Sequence, residues 1–312
     1  MKKMIVRRIF RGMLTIVIAT VLVFFVMRVL VPGDPAELLA DPEATEEQIQ
    51  QLRELWGLDK PLGEQFKIYV MNLLKGDAGK SYQYKVAGVP VINVTDLIWS
   101  RLPNTILLAA TALLFAVAVA IPAGTYMALK PGGLFEKFVT NLNFTISSFP
   151  NFYLGLLFIL IFAINLGWLP TGGNASPKDV ILPAVTLSLH YIVTFTRLTQ
   201  TEVSRILNSD YIRTARAKGL PMSKVVIRHG MRNAAIPLIT TIGLRFGSML
   251  SGSVVTETLF RWPGIGNLMI NALNVRDYPT IQVLIPYTAL VFVVINLVVD
   301  ITYYFLDPRL RK

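Results

Sequence analysis

The residues best suited to do work in this sequence lie between Asn208 and Arg232, NSDYIRTARAKGLPMSKVVIRHGMR, a polar interruption between two hydrophobic segments. Arg213, Arg216, Lys218, Lys224, Arg228 and Arg232 are set against a single acid, Asp210, with His229 close to neutral. A segment carrying that many fixed charges cannot lie in hydrocarbon. Its residue types suit docking rather than bond-making. Asp210 is placed to cap a short helix from Tyr211 to Lys218, and Gly219 ends it by taking the left-handed conformation that other residues resist. Thr214, Ala215 and Ala217 leave part of that helix small enough for close approach by another protein. Pro221 then opens a second short helix, with Ser223 near its start. The simpler alternative is a basic surface touching anionic lipid head groups. A lipid-facing helix would want a continuous apolar stripe, which this one lacks.

Other residues with chemical potential fall away on inspection. Gly76-Asp-Ala-Gly-Lys-Ser81 looks like a nucleotide loop, but a phosphate cradle needs G-x-x-x-x-G-K-[ST], and the residue five before Gly79 is Leu74. It reads as a structural turn, so the chain is expected to hold no ATPase and to use no cofactor of its own. His190 and His229 are too few and too far apart for a metal site, and no nucleophile with a base accompanies them. Arg245, Glu257 and Asp300 fall in or near apolar segments, where ionisable groups are costly and face a cavity or a partner. On sign and placement, Arg245 and Glu257 are candidate pore or substrate contacts, for a carboxylate and an amine respectively; the simpler alternative pairs Arg245 with Asp300.

These residues need a scaffold, and the composition names it. With 53% hydrophobic and 16% charged residues and a mean hydropathy of +0.54, the chain is an integral membrane protein; soluble domains carry about 25% charged residues. No cysteine is present. The formal charge of +11 would suggest nucleic acid in a soluble protein, but membrane topology explains it more simply. Apolar runs at 12–31, 105–129, 138–166, 180–200, 234–258 and 281–306 each reach the roughly 20 residues a crossing requires. The expected fold is therefore all-α with six transmembrane helices. Pro150 should kink the third, and His190, Thr194, Thr196 and Arg197 interrupt the fourth. Gly247, Gly252, Gly264 and Gly266, with Ser248, Ser251 and Ser253, make the fifth helix and its exit small-sided, suited to close helix packing.

The chain thus divides into residues 1–31, an N-terminus and first helix; 32–99, a polar region with a helix over Glu46–Leu55; and 100–312, the core, with the basic loop at 203–232. Counting Lys and Arg, the termini and the loops on their side carry 18 and the opposite side nine. This bias places both termini and the central loop in the cytoplasm and residues 32–99 outside.

The TARAKG stretch followed by RHGMRNAAIP resembles the EAA loop of ABC importer permeases, in the form used by the dipeptide, oligopeptide, nickel and glutathione group. Arg213, Thr214 and Ala215 stand where the general loop reads E-A-A, Gly219 stands for its glycine, and Arg232 replaces its first proline. The likeness extends through Pro32-Gly-Asp-Pro35, Trp56-Gly-Leu-Asp-Lys-Pro61, Leu166-Gly-Trp-Leu-Pro170, Trp262-Pro-Gly-Ile-Gly266 and Asp307-Pro-Arg309. It implies half of a translocation pore in the bacterial cell (inner) membrane. The implied partners are a second homologous permease, two ATP-binding subunits that hold ATP and magnesium, and an external substrate-binding protein; no nucleic acid is involved. Asp210, Tyr211, Arg213, Thr214, Ala215, Arg216, Ala217, Lys218 and Gly219 would couple the pore to the ATPases. Di- and oligopeptides are the implied cargo, with nickel chelates or glutathione as the alternative. A self-contained ion-driven transporter is the competing class, but such proteins show internal repeats, and no clear repeat is visible here.

Overall fold

The structure is a computed structural model that describes the chain apart from residues 1, 31–33, 35, 38–39, 41–43, 56, 82–91, 220, 222–224, 226–229 and 307–312. Among the described residues the fold is helical, with one isolated antiparallel bridge between Lys80 and Asn93. The helices are α1 (Lys2–Phe25, drawn on as a wider coil over Val26–Leu30), α2 (Glu46–Leu55), α3 (Leu62–Lys75), α4 (Val94–Leu129), α5 (Leu134–Ser148) and α6 (Asn151–Phe158, continued as a wider coil over Ile159–Asn165). They are followed by α7 (Ile181–Leu207), α8 (Asp210–Ala217), α9 (Arg232–Gly252), α10 (Val254–Leu259), α11 (Ile265–Asn274) and α12 (Tyr278–Leu306).

Local chemistry sets many of these boundaries. Thr45 and Gln48 bond reciprocally at the start of α2, each side chain taking the other's backbone amide (2.9 and 3.4 Å), which satisfies two of the amides a helix start leaves open. Gly76 stops α3 with φ at +76°, and the amide of Asp77 folds back to the carbonyl of Asn72 at 2.9 Å. Pro150 cannot continue α5, and the chain restarts as α6 at an angle of 105°. Among the described residues, four helices are long and apolar enough to cross a membrane, or five if that bent pair counts as one crossing. The expected fifth crossing is differently built: α9 ends at Gly252 and the chain passes through Ser253 into the separate six-residue α10.

The chain forms two compact units. The larger comprises Met1–Ile5, Asn104–Asn267 and Val294–Lys312. Its core joins α4, α7 and α9 through Leu108, Ala109, Ala112, Ala184, Leu187 and Met249, with Trp262 buried against them, and through Ala116, Ala120 and Phe195 a turn or two further on. The alanines allow close packing, and Gly124 takes it to the limit. A Cβ there would sit 2.5 Å from the carbonyl oxygen of Thr196, so the α4 and α7 backbones touch. The smaller unit comprises Val6–Pro103 and Leu268–Val293. Phe24 stacks on Tyr69 at 5.5 Å and meets Phe66 edge-on. The Tyr69 hydroxyl, whose pKa burial pushes well above its ordinary value, donates to the carbonyl of Gln282 at 2.7 Å.

Within this unit the nucleotide-loop lookalike is a turn. Gly76 and Gly79 take positive φ; the Gly79 amide donates to Asp77 Oδ1 at 3.0 Å and the Ser81 amide to the carbonyl of Ile92 at 3.0 Å. Amides engaged this way are not free to cradle a phosphate. The Ser81 hydroxyl is itself bonded to buried Asp277.

Candidate functional site

The basic interruption folds into α8, eight residues long and amphipathic about the buried side chain of Ile212. Ile212 is wholly buried among Val203, Ile206 and Leu207 of α7, Val225, and Ala234 and Leu238 of α9, with Ala215 packed at the edge. Burying one such side chain contributes about 2 kcal/mol, enough to seat a helix too short to hold itself together. Tyr211, Arg213, Thr214, Ala217, Lys218 and Gly219 are exposed on the other side. The Asp210 carboxylate is almost fully exposed and lies 3.5 Å from Arg213, a surface pair worth at most about 1 kcal/mol.

Two residues beyond the expected set fix the position of α8. Ser209 is the first: its hydroxyl donates to the carbonyl of Ile206 at 2.6 Å, and its own carbonyl accepts the amides of Ile212 and Arg213, both at 3.1 Å. The helix consequently starts at Asp210 rather than Tyr211, and Asp210 sits in the first turn instead of capping it, where its charge still favours the helix N-terminus. Asn233, in the first turn of α9, is the second, donating from Nδ2 to the Tyr211 hydroxyl at 2.9 Å. Only the residues 208 and 209 separate α7 from α8. Gly219 ends the helix with φ at +77°, as its type predicts. The expected second helix after Pro221 lies largely outside the described residues, as do His229 and the side chain of Arg216.

The two candidate substrate contacts are not brought together. Arg245 is exposed on α9, and the side chain of Asp300, its alternative partner, is outside the described residues. Glu257 is completely buried in α10. Its Oε1 accepts from Thr105 (2.8 Å) and Ser253 (2.9 Å), and its Oε2 accepts from the amides of Gly266 (2.7 Å) and Asn267 (3.1 Å). A carboxylate with four donors has no capacity left for a passing amine. It instead orders the WPGIG turn, where Trp262 Nε1 donates to the carbonyl of Asn104 at 2.9 Å and the amide of Ile265 to Thr105 Oγ1 at 2.8 Å. Gly264 is required there, since a Cβ would fall 2.4 Å from the Glu257 carboxyl carbon.

Polar residues on α7 also find places. The His190 ring shares a 2.6 Å hydrogen bond with Asn151 at the α5–α6 bend. Near the C-terminal end of α7, Gln200 donates to Glu136 at 2.6 Å, and Glu136 in turn accepts the Gly132 amide. These bonds tie the turn before α5 to α7.

Comparison with known proteins bears on the whole chain. A profile described as binding-protein-dependent transport system inner membrane component matches residues 120–312, and one for the N-terminal part of such membrane components matches residues 1–109. The chain is 41% identical over 307 residues to the glutathione transport system permease protein GsiC of Escherichia coli K12, with 98% of both chains covered. It is 40% identical over the same length to the protein of that name from Shigella flexneri serotype 5b. In fold it is similar to a chain of the methionine ABC transporter MetNI in an inward-facing conformation, with a TM-score of 0.58 at 14% identity over 68% of this chain and 96% of that one. An amino acid ABC transporter crystallised with histidines gives 0.53 at 14% identity, over 68% and 94%.

Proposed function

Because the chain belongs to the family of inner membrane components of binding-protein-dependent transport systems, and is thus a permease subunit of an ABC importer, we propose that α8 is its coupling helix and that it forms half of a pathway for small peptides. The observation that carries this reading is the construction of α8: one face anchored through Ile212, the other exposed and polar, with ties to both α7 and α9. An ATP-binding subunit docks on the face of Tyr211, Arg213, Thr214 and Lys218. When two such subunits close on ATP and magnesium, they displace α8, and the short link and the Tyr211–Asn233 bond carry that displacement into both long helices. The helix transmits force and does no chemistry.

The complete importer holds a second, similar permease, two ATP-binding subunits and an external binding protein that delivers cargo to residues 32–99 and the neighbouring turns. The charge bias puts both termini and α8 in the cytoplasm, with six crossings in a bacterial inner membrane, α5–α6 as the third and α9 as the fifth. Relatives named as glutathione permeases support a tripeptide-sized cargo with free carboxylates, and glutathione is the first to try. The test is purification of the complex from membranes, followed by reconstitution in vesicles. Two ATP-binding subunits and a second permease should copurify, and ATP should drive glutathione uptake only with the binding protein present. Uptake by the single chain on an ion gradient would overturn the reading.

A further inference from the structure

We infer that the face of α7 carrying His190, Thr194, Arg197, Thr201 and Arg205 lines the translocation path, and that Arg197 is the cation that meets a carboxylate of the passing peptide; this rests on the permease reading above. These residues recur at steps of three and four, so they fall on one side of the helix. Each is exposed or half-exposed, whereas Phe195, Thr199, Val203 and Ile206 on the other side are buried. From His190 to Arg205 the stripe runs about 22 Å along the helix, from within the crossing to the end that meets α8. Such a stripe is costly against lipid tails, and a water-filled path is the environment that suits it.

The chemistry along the stripe is that of a conduit. Thr194 and Thr201 donate to the helix carbonyls of His190 and Arg197, both at 2.9 Å, so their oxygens present acceptors without an unsatisfied donor. Arg197 lies over the ring of Phe144 at 5.1 Å, and among the described residues it has no ion-pair partner. A guanidinium set over an aromatic ring can still turn N–H groups toward a carboxylate. Toward the other end of α7, Leu182, Ala184, Thr186, Leu187 and Ser188 are buried. The stripe therefore opens toward α8 and closes toward Ile181, at the start of α7.

The absence of cysteine from the chain makes the test direct. Thr194→Cys and Thr201→Cys each place one thiol on the stripe, and Leu114→Cys places one on an apolar position of α4 that is 70% exposed. The full complex, with any cysteines of the other subunits replaced, is treated in vesicles with water-soluble methanethiosulfonates of either charge, with and without ATP. The stripe thiols should react and the Leu114→Cys thiol should not. The anionic reagent should outpace the cationic one by about threefold or more near Arg197, a bias that Arg197→Lys keeps and Arg197→Gln removes. Stripe thiols that stay unreactive in both nucleotide states, or a bias unchanged by Arg197→Gln, would overturn the inference. Failure of the cysteine-free complex to take up glutathione with ATP is a separate outcome that counts against the function proposed above, because the labelling pattern is read independently of cargo.

Discussion

The Tyr211 hydroxyl on α8 accepts a 2.9 Å hydrogen bond from Asn233 Nδ2 on α9, joining two helices that the chain itself connects only through the intervening loop. Tyr211→Phe keeps the ring and removes the acceptor. An exposed hydrogen bond contributes about 0.5–1 kcal/mol, so cargo moved per ATP should fall about two- to fivefold while the complex still assembles. Simultaneous measurement of uptake and phosphate release checks it.

Ile212 and Arg213 should separate seating from docking. Ile212→Ala removes a fully buried side chain, costing about 2–4 kcal/mol locally, and hydrogen exchange in 210–217 should lose its protection. Arg213→Glu, on the exposed face, should leave that protection intact and still reduce the ATP-binding subunits recovered on purification.

Glu257→Gln should act on stability and leave cargo selection alone. It replaces a charged acceptor of four hydrogen bonds by an amide that can accept only half of them. A loss of about 2–3 kcal/mol is expected, visible as a lower melting temperature of the purified complex, with the KM for cargo unchanged.

Two glycines should respond in opposite senses to alanine. Gly124→Ala drives a methyl into the backbone of α7 and should cost about 1–3 kcal/mol. Gly63, in α3, has nothing within 4 Å of an added Cβ, and alanine there should stabilise by about 0.5–1 kcal/mol. Thermal unfolding of the two variants side by side reads the contrast.

Alkaline pH should expose Tyr69. Its pKa is raised in the folded chain by burial, so the associated stability is complete below the unfolded value of about 10 and is lost as pH rises beyond it. In an ultraviolet titration compared against Tyr69→Phe, the phenolate of Tyr69 should appear only as the protein unfolds.

Much of this arrangement is legible in the residues alone, where local rules operate. The start of α2, the break at Pro150 and the stop at Gly219 follow from a cap, a missing amide and a left-handed turn, all of which act within a few residues. Glu257 resists that approach because its four donors come from positions 105, 253, 266 and 267, and only the packing of α4 against the α10–α11 turn unites them. Read along the chain, a lone acid near a membrane helix looks available for cargo; in three dimensions its capacity is spent. The polar residues of α7 carry the opposite lesson. They interrupt its hydropathy as expected, yet their three- and four-residue spacing puts His190, Thr194 and Arg197 on one side and leaves Thr196 buried on another. The residue types alone place Tyr211 in the docking helix, but its partner Asn233 lies 22 positions on, beyond any local signal.

The connection between α7 and α8 has no slack. With two residues at the corner, one of them pinned to the preceding turn by its hydroxyl, the coupling proposed for α8 would work as a crank fixed to a shaft: an angle imposed on it would reappear along α7 instead of being absorbed at the joint. On that proposal, cargo and fuel would be geared together by the shortness of a corner, and a few added glycines at that spot would leave an engine that runs with its wheels disengaged.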